Sequence, residues 1–342
     1  MKKDTISEKR CGKLQNCKML QYQKFAKIKK LTKRKIKLYI LKLSPALKDY
    51  IWGGTRLKTE FKIETPMQTV AEAWVLSAHK DGPSVIENGE LKGKTLLQGI
   101  ESFGRECLGT NCAGISDFPI LIKLIDADKN LSVQVHPSDD YARAHEGEQG
   151  KTEMWYIVDC SDDAFIYYGF KSEISREAFI KKAKDGTIAD CLNRVSVKKG
   201  DAYFIPAGTV HAIGKGCLIA EIQQNSNTTY RVFDYNRLGK DNKPRELHID
   251  KAADVVNLSA AKEYSAKGNI LAECKYFKVI KHKVEGSSFV EVGTDSFSCI
   301  LCVDGSAFID SVEIKKGECV FIPAGSGRIK IAGSGLLIES RV

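Results

Sequence analysis

One internal repeat limits what this chain can fold into more than any other feature. "KKGDAYFIPAGTVHAI" (198–213) returns 117 residues later as "KKGECVFIPAGSGRIK" (315–330). Each copy leads into a glycine-rich turn and an apolar run that ends in glutamate, "GKGCLIAE" (214–221) and "GSGLLIE" (333–339). Lys-Lys-Gly with an acid reads as a turn, the next four residues as a strand, and Pro-Ala-Gly as a tight corner. The corner delivers a following side chain inward. Two copies at this spacing imply two similar β-units. At the delivered position the first copy carries His211 and the second Arg328. Only the first unit keeps a metal-capable side chain there, so one chemical centre is expected, in the N-terminal unit.

The remaining pattern agrees. From about residue 38, short apolar runs recur between turn residues: "EAWVLSAH", "FPILIKLIDA", "LSVQVHP", "MWYIV", "AFIYYGF" and "CLIAEIQQ". Many short strands with Gly/Pro turns argue for a sandwich or barrel. One stretch, 175–194, reads as a helix, with Ser175 as N-cap and Glu177 in the first turn. The expected division is an N-terminal extension over 1–37, a first unit over 38–256 that includes the helical segment, and a second unit over 257–342 without metal ligands.

Charge separates the extension from the body. The chain carries a net +10, but residues 1–37 hold 14 Lys+Arg against only Asp4 and Glu8. The body is left at −2. The extension is expected to be a disordered basic arm, and nucleic-acid binding is at most its accessory property. No run of 18 apolar residues occurs, so no membrane partner is expected. The 11 cysteines are odd in number and scattered, which fits reduced thiols and a cytoplasmic protein. Cys299 and Cys302 have CxxC spacing, but on a strand they face opposite ways and are badly placed to chelate.

The chemistry concentrates in "LSVQVHPSDDYARAHEGEQGKTEMWYIV" (131–158). Gln134 and His136, two apart on a strand, share a face. Glu153 opens the next strand after a polar, glycine-bearing connection, and His211 follows the corner. Two imidazoles, a carboxylate and an amide oxygen, with no thiolate, suit Zn²⁺, and Mn²⁺, Fe²⁺ or Co²⁺ nearly as well. His79, His145, His248 and His282 lie in polar or irregular surroundings and are read as structural. Beyond His211, "QQNSNTTYRVFDYNR" (223–237) offers Arg231 and Arg237, residues suited to gripping phosphate or carboxylate.

Several of these segments together carry a resemblance. "FPILIKLIDADKNLSVQVHP", "GKTEMWYI", "IPAGTVHAIG" and "EIQQNSNTTYRVFDY", with "PALKDYIWGGTRL" near the start, are similar to the type I mannose-6-phosphate isomerases in their short bacterial form. The similarity runs over about residues 38–342. It implies a mainly β fold of tandem cupin (jelly-roll) barrels, one Zn²⁺ per chain, and interconversion of mannose 6-phosphate and fructose 6-phosphate. Carried over by position, it puts the metal ligands on Gln134, His136, Glu153 and His211. Catalytic roles fall on Arg231 and Lys151. Substrate contacts fall on Trp52, Lys123 and Ser132, the last two near the phosphate end. The implied partner is a sugar phosphate. The longer members carry a large helical domain and an aromatic residue soon after the last histidine ligand, where this chain has "HAIG". Two other readings compete. Another metal-dependent cupin enzyme is expected to show a third histidine in place of Gln134. A non-catalytic phosphosugar-binding cupin does not require Lys151 and Arg231.

Overall fold

Side-chain alternation builds the first barrel. In the strand Val133–Val135 both valines face an apolar layer that also holds Phe170, Phe179, Val210, Ala212 and Val232, which leaves Gln134 on the opposite face. In Glu153–Cys160, Trp155 and Ile157 join a second layer with Ile125, Ile166, Ile205, Ile213 and Ile219. That second layer lies between two antiparallel sheets. The computed structural model describes residues 36–262 and 264–342, so the expected disorder of residues 1–35 lies outside the described residues.

The first sheet has six strands in the order Ala202–Ile205, Glu153–Cys160, Cys217–Gln224, Ile120–Asp126, Glu72–Leu76 and Ala46–Lys48. The second has five: Tyr230–Phe233, Val133–Val135, His211–Ile213, Phe165–Phe170 and Leu192–Ser196. Helices Arg176–Lys184 and Ile249–Val255 cover the outer face of the five-stranded sheet through Phe179, Ala183, Ala252 and Ala253.

A third sheet of eight strands encloses its own apolar core, which includes Val284, Ile300, Cys302, Val320, Ile331 and Leu337. Three long strands dominate it, Lys278–Val292, Ser298–Ile309 and Gly327–Arg341. Two strands from early in the chain complete it: Leu41–Ser44 pairs with Cys319–Ile322 and, on its other side, with Val85–Ile86. The sheet is therefore not built from residues 257–342 alone, and residues 38–342 form one compact unit.

The repeat is geometric as well as textual. The turn glycines Gly200 and Gly317 have φ of +94° and +91°, and the corner glycines Gly208 and Gly325 have +87° and +78°. A side chain is strained at all four positions. The corner feeds His211 into the buried interior, whereas Arg328 sits on the surface against the face of Phe289. Cys299 and Cys302 are both free and buried, and Cys302 alone belongs to the apolar core of the third sheet.

The expected helix over 175–194 is corrected. Ser175 does cap it, with its hydroxyl accepting from Ala178 N–H at 3.2 Å, but the helix ends at Lys184. Gly186 then takes φ +73°, a 3₁₀ turn spans Ile188–Cys191, and Leu192–Ser196 is a strand. Further helices interrupt the β pattern, the shortest of them Arg56–Thr59. Leu96–Phe103 starts with a capping box of Thr95 and Gln98, and Asp139–His145 occupies the connection expected to be loop.

Leu41 is fully buried and pairs with Phe321 across the third sheet. Leu41→Ala is expected to cost about 2–5 kcal/mol, read as a lower denaturant midpoint in an equilibrium unfolding curve. A loss near zero would mean that this strand does not anchor the sheet.

Candidate active site

Strand register assembles the site. Across the five-stranded sheet, Gln134 lies opposite His211 on one side and Arg231 on the other. Across the six-stranded sheet, Glu221 lies between Lys123 and Trp155. Glu153 is the first residue of its strand and pairs with Ile205 and Gln223. Residues distant in sequence thus meet on the two facing inner surfaces.

His136, Glu153 and His211 are the one group of three or more His, Cys, Asp or Glu side chains among the described residues with ligand atoms converging on a common point, all within 4.8 Å of one another. His136 and His211 each use Nδ1 to meet a backbone carbonyl, Thr228 O at 3.0 Å and Thr209 O at 2.8 Å. An Nδ1–H held by a carbonyl leaves the Nε2 lone pair free and aimed. His136 Nε2 lies 3.5 Å from Glu153 Oε2, and His211 Nε2 lies 3.3 Å from Glu153 Oε1. Gln134 Nε2 lies 3.3 Å from His211 Nε2, and a half-turn of the amide presents its oxygen at the same place. A tetrahedral zinc site with bonds of about 2.0–2.1 Å keeps its donor atoms roughly 3.3 Å apart. The donor set and spacing fit a metal ion.

Electrostatics point the same way. The one close donor to the Glu153 carboxylate is Lys151 Nζ, 2.9 Å from Oε2. Burial raises the Glu153 carboxyl to about 7, against the pull of Lys151. Burial also lowers His211 to about 4 and His136 well below its ordinary value. Two neutral imidazoles thus face a carboxylate with no adequate donor of its own. Only a proton or a cation relieves that contact.

Lys151 Nζ is also 3.1 Å from His136 Nε2 and 3.9 Å from Glu221 Oε1. Lys123 Nζ lies 3.0 Å from Glu221 Oε1 and 3.9 Å from Glu72 Oε2. Burial acts to lower Lys123, but Glu221 and Glu72 outweigh it and its pKa is raised. Burial acts to raise Glu221, but Lys123 and Lys151 outweigh it and its pKa is lowered.

A cavity of about 270 Å³ opens beside this cluster. Trp52, Lys123, Ser132, Gln134, Lys151 and Arg231 all line it. Trp52 stacks at a tilt on Tyr50, with ring centroids 5.6 Å apart. Arg231 Nε is buried without a partner, and its Nη1 donates to Glu246 O at 2.7 Å. Arg237 is elsewhere, bonded to Asp234. Arg245 takes its place at the rim, also held by Asp234. A larger hollow of about 600 Å³ lies around Asp117, Asp139, Arg143 and Tyr276. It contains no converging ligands, so chemistry rather than size selects the smaller cavity.

Sequence reasoning missed Glu221, Glu72 and Arg245. Glu221 had a signal, as the single acid in an apolar strand and in phase with Ile219. Arg245, in the irregular "GKDNKPRELHID", had none.

Comparison with known proteins defines the class. A profile of the phosphomannose isomerase type I catalytic domain matches residues 40–158, and one of the mannose-6-phosphate isomerase cupin domain matches residues 267–342. The mainly β fold with a cupin domain is therefore the expected one. The mannose-6-phosphate isomerase ManA of Bacillus subtilis (strain 168) is 40% identical over 312 residues, which covers 87% of this chain and 97% of that protein. The mannose-6-phosphate isomerase of Streptococcus mutans is 36% identical over 285 residues, covering 80% and 89%. The crystal structure of the B. subtilis mannose 6-phosphate isomerase superposes with a TM-score of 0.80 at 36% identity, over 89% of this chain and 99% of that one. The chain belongs to the type I phosphomannose isomerase family.

The perturbed site makes a calorimetric prediction. Burial holds both imidazoles below and Glu153 above their ordinary values, so at pH 5.5 the histidines bind less proton and Glu153 more than free groups would. Titration with zinc is expected to release about one proton, from Glu153, where ordinary pKa values would release about two, from the histidines. Calorimetry in buffers of different ionisation enthalpy measures the number. Release near two would mean that burial does not hold the histidines neutral.

Proposed function

We propose that this protein is a zinc-dependent aldose–ketose isomerase that interconverts mannose 6-phosphate and fructose 6-phosphate. The observation that carries the reading is the convergence of His136 Nε2 and His211 Nε2 on the buried Glu153 carboxylate, beside Lys151. Family membership supports the substrate pair. Gln134, His136, Glu153 and His211 are the proposed metal ligands. A bound zinc ion would supply Lewis acidity toward the sugar's carbonyl and hydroxyl oxygens without redox chemistry, which this reaction does not need.

The chain's own groups do the rest. Lys151, with Glu153 at 2.9 Å and Glu221 at 3.9 Å, is proposed to carry protons to and from the substrate. Arg231, with its buried and unpartnered Nε, is proposed to hold negative charge on the substrate. Trp52, Lys123 and Ser132 form the wall that orients the sugar. All three are nearly buried, so a bound sugar meets a rigid surface that excludes water.

The reading is tested by a coupled assay of fructose 6-phosphate formation from mannose 6-phosphate, with chelator and then with zinc restored. Turnover lost on chelation and regained with zinc is expected. A folded, zinc-loaded protein without turnover overturns the reading in favour of a phosphosugar-binding cupin. Lys151→Met is expected to keep its zinc and to lower kcat by about 10²–10⁴-fold. Zinc content by mass spectrometry separates that outcome from simple loss of metal.

A further inference from the structure

Lys151 sits on a short approach, Gly150–Thr152, that leads directly into Glu153, the first residue of the strand Glu153–Cys160. Every backbone N–H of that approach is held from outside. Lys151 N–H donates to Pro137 O at 3.0 Å. Gly150 N–H donates to Asp139 Oδ1 at 2.9 Å. Thr152 N–H donates to Gln224 Oε1 at 2.9 Å. Gln224 does not choose its own orientation, because its Nε2 donates to the same Asp139 Oδ1 at 2.9 Å. One carboxylate oxygen therefore sets two of the three bonds, one directly and one through Gln224.

The packing leaves no slack. Gly150 runs against the chain at Ser138 and Asp139, where an added Cβ would fall 2.5 Å from backbone atoms. The other oxygen of Asp139 accepts from the Tyr276 hydroxyl at 2.8 Å. Tyr276 comes from the C-terminal barrel, at the turn between Ile270–Glu273 and Lys278–Val292. Burial acts to raise the Asp139 carboxyl, but the bonds from Tyr276, Gln224 and Gly150 outweigh it and hold it below the usual carboxylate range. Asp139 is thus ionised and purely an acceptor at neutral pH, as all three bonds require.

We propose that Asp139 and Tyr276 are positioning residues for the Lys151–Glu153 segment, through which the C-terminal barrel acts on a reaction it does not itself perform. The proposal rests on the isomerase reading for its kinetic consequence, but not for its effect on metal binding. Tyr276 touches none of the proposed metal ligands and does not line the cavity beside them. It fixes the carboxylate that fixes Gly150 and Gln224, and so sets where Lys151 Nζ and the Glu153 carboxylate point. Direct partners of metal ligands typically matter by about 10–100-fold in metal affinity or activity, and Tyr276, acting through Asp139 and the backbone, is expected at the lower end.

The test compares wild type, Tyr276→Phe, Asp139→Ala and the double variant. Zinc affinity is read by competition with a chromogenic chelator, kcat and KM by the coupled assay, and folding by the thermal midpoint. Tyr276→Phe removes one hydroxyl and keeps the ring, so it stays folded even if Asp139→Ala does not. Tyr276→Phe is expected to weaken zinc binding or kcat by about 10-fold, with KM within about two-fold of wild type. The double variant should be no worse than Asp139→Ala, because Tyr276 acts only through Asp139. Zinc affinity and kcat both within about two-fold of wild type in Tyr276→Phe would overturn the proposal, as would fully additive effects in the double variant. A wild-type protein that binds zinc but shows no turnover would sink the isomerase reading alone, since the zinc-affinity comparison still decides the positioning role.

Discussion

A carboxylate buried without adequate donors is the constraint on which the rest of the structure depends. Glu153 is fully buried, and the nearest groups to its oxygens are the two imidazole Nε2 atoms and one ammonium. Taking an ion out of water costs several kcal/mol, and only close opposite charge offsets it. Three glutamates, Glu72, Glu153 and Glu221, share this interior with two lysines, Lys123 and Lys151. With neutral histidines the cluster is one positive charge short of balance. Glu221 is served by both lysines and by Trp155 Nε1 at 3.0 Å, so its pKa falls. Glu153 is fully buried with Lys151 alone at close range, and burial outweighs that lysine, so its pKa rises. The deficit is localised on the one carboxylate that has two aimed lone pairs beside it, which is the condition for selective cation binding at that point and no other in the cluster.

The repeat shows how one scaffold serves two ends. Both copies turn at the same left-handed glycines and both end on a buried glutamate, Glu221 or Glu339. In the C-terminal barrel Glu339 is satisfied on the spot: His282 Nε2 is 2.7 Å away, Ser298 donates at 2.8 Å, and Arg341 closes the cluster. In the first barrel Glu221 shares Oε1 between Lys123 at 3.0 Å and Lys151 at 3.9 Å and faces a cavity. A buried acid with its own partners stabilises one arrangement and does nothing more. A buried acid shared between two lysines at a cavity wall couples them, so that moving charge at Lys151 is felt at Lys123. The difference between a structural barrel and a reactive one lies in where the partners come from, not in the turn or the strand.

The legible part of the site was the part governed by local rules. Gln134 and His136 share a face because side chains alternate, and His211 turns inward because Pro-Ala-Gly forces a corner. Both rules act over two or three residues. Glu221 was half legible. Its phase with Ile219 put it inside, but nothing local said that Lys123 would stand opposite it, since that depends on the register of two strands about 100 residues apart. Arg245 and Tyr276 act from a loop and a turn, whose positions follow from packing alone. The helix over 175–194 was overdrawn because its charged run has no periodic stop, and the left-handed Gly186 was the only marker of its end. The helix Leu96–Phe103 went unread although Thr95 and Gln98 spell a capping box, because the β pattern on either side carried more weight.

The cavity holds two kinds of cation, and their difference orders it. Lys123 and Lys151 are buried and matched by glutamates, so they have little charge to spare for a ligand. At the rim, Arg245 shares the carboxylate of Asp234 with Arg237, which lies outside the cavity, and Arg231 meets only a backbone carbonyl through its Nη1. The unmatched positive charge is therefore at the mouth, and the unmatched negative charge is at Glu153 inside. Such a field draws a molecule with a dianionic end toward the mouth, where Arg231 and Arg245 stand. On the isomerase reading, the sugar's carbons 1 and 2 then face Lys151 and the proposed metal ligands, while the phosphate end meets the cations of the wall, Lys123 among them, as the resemblance implies.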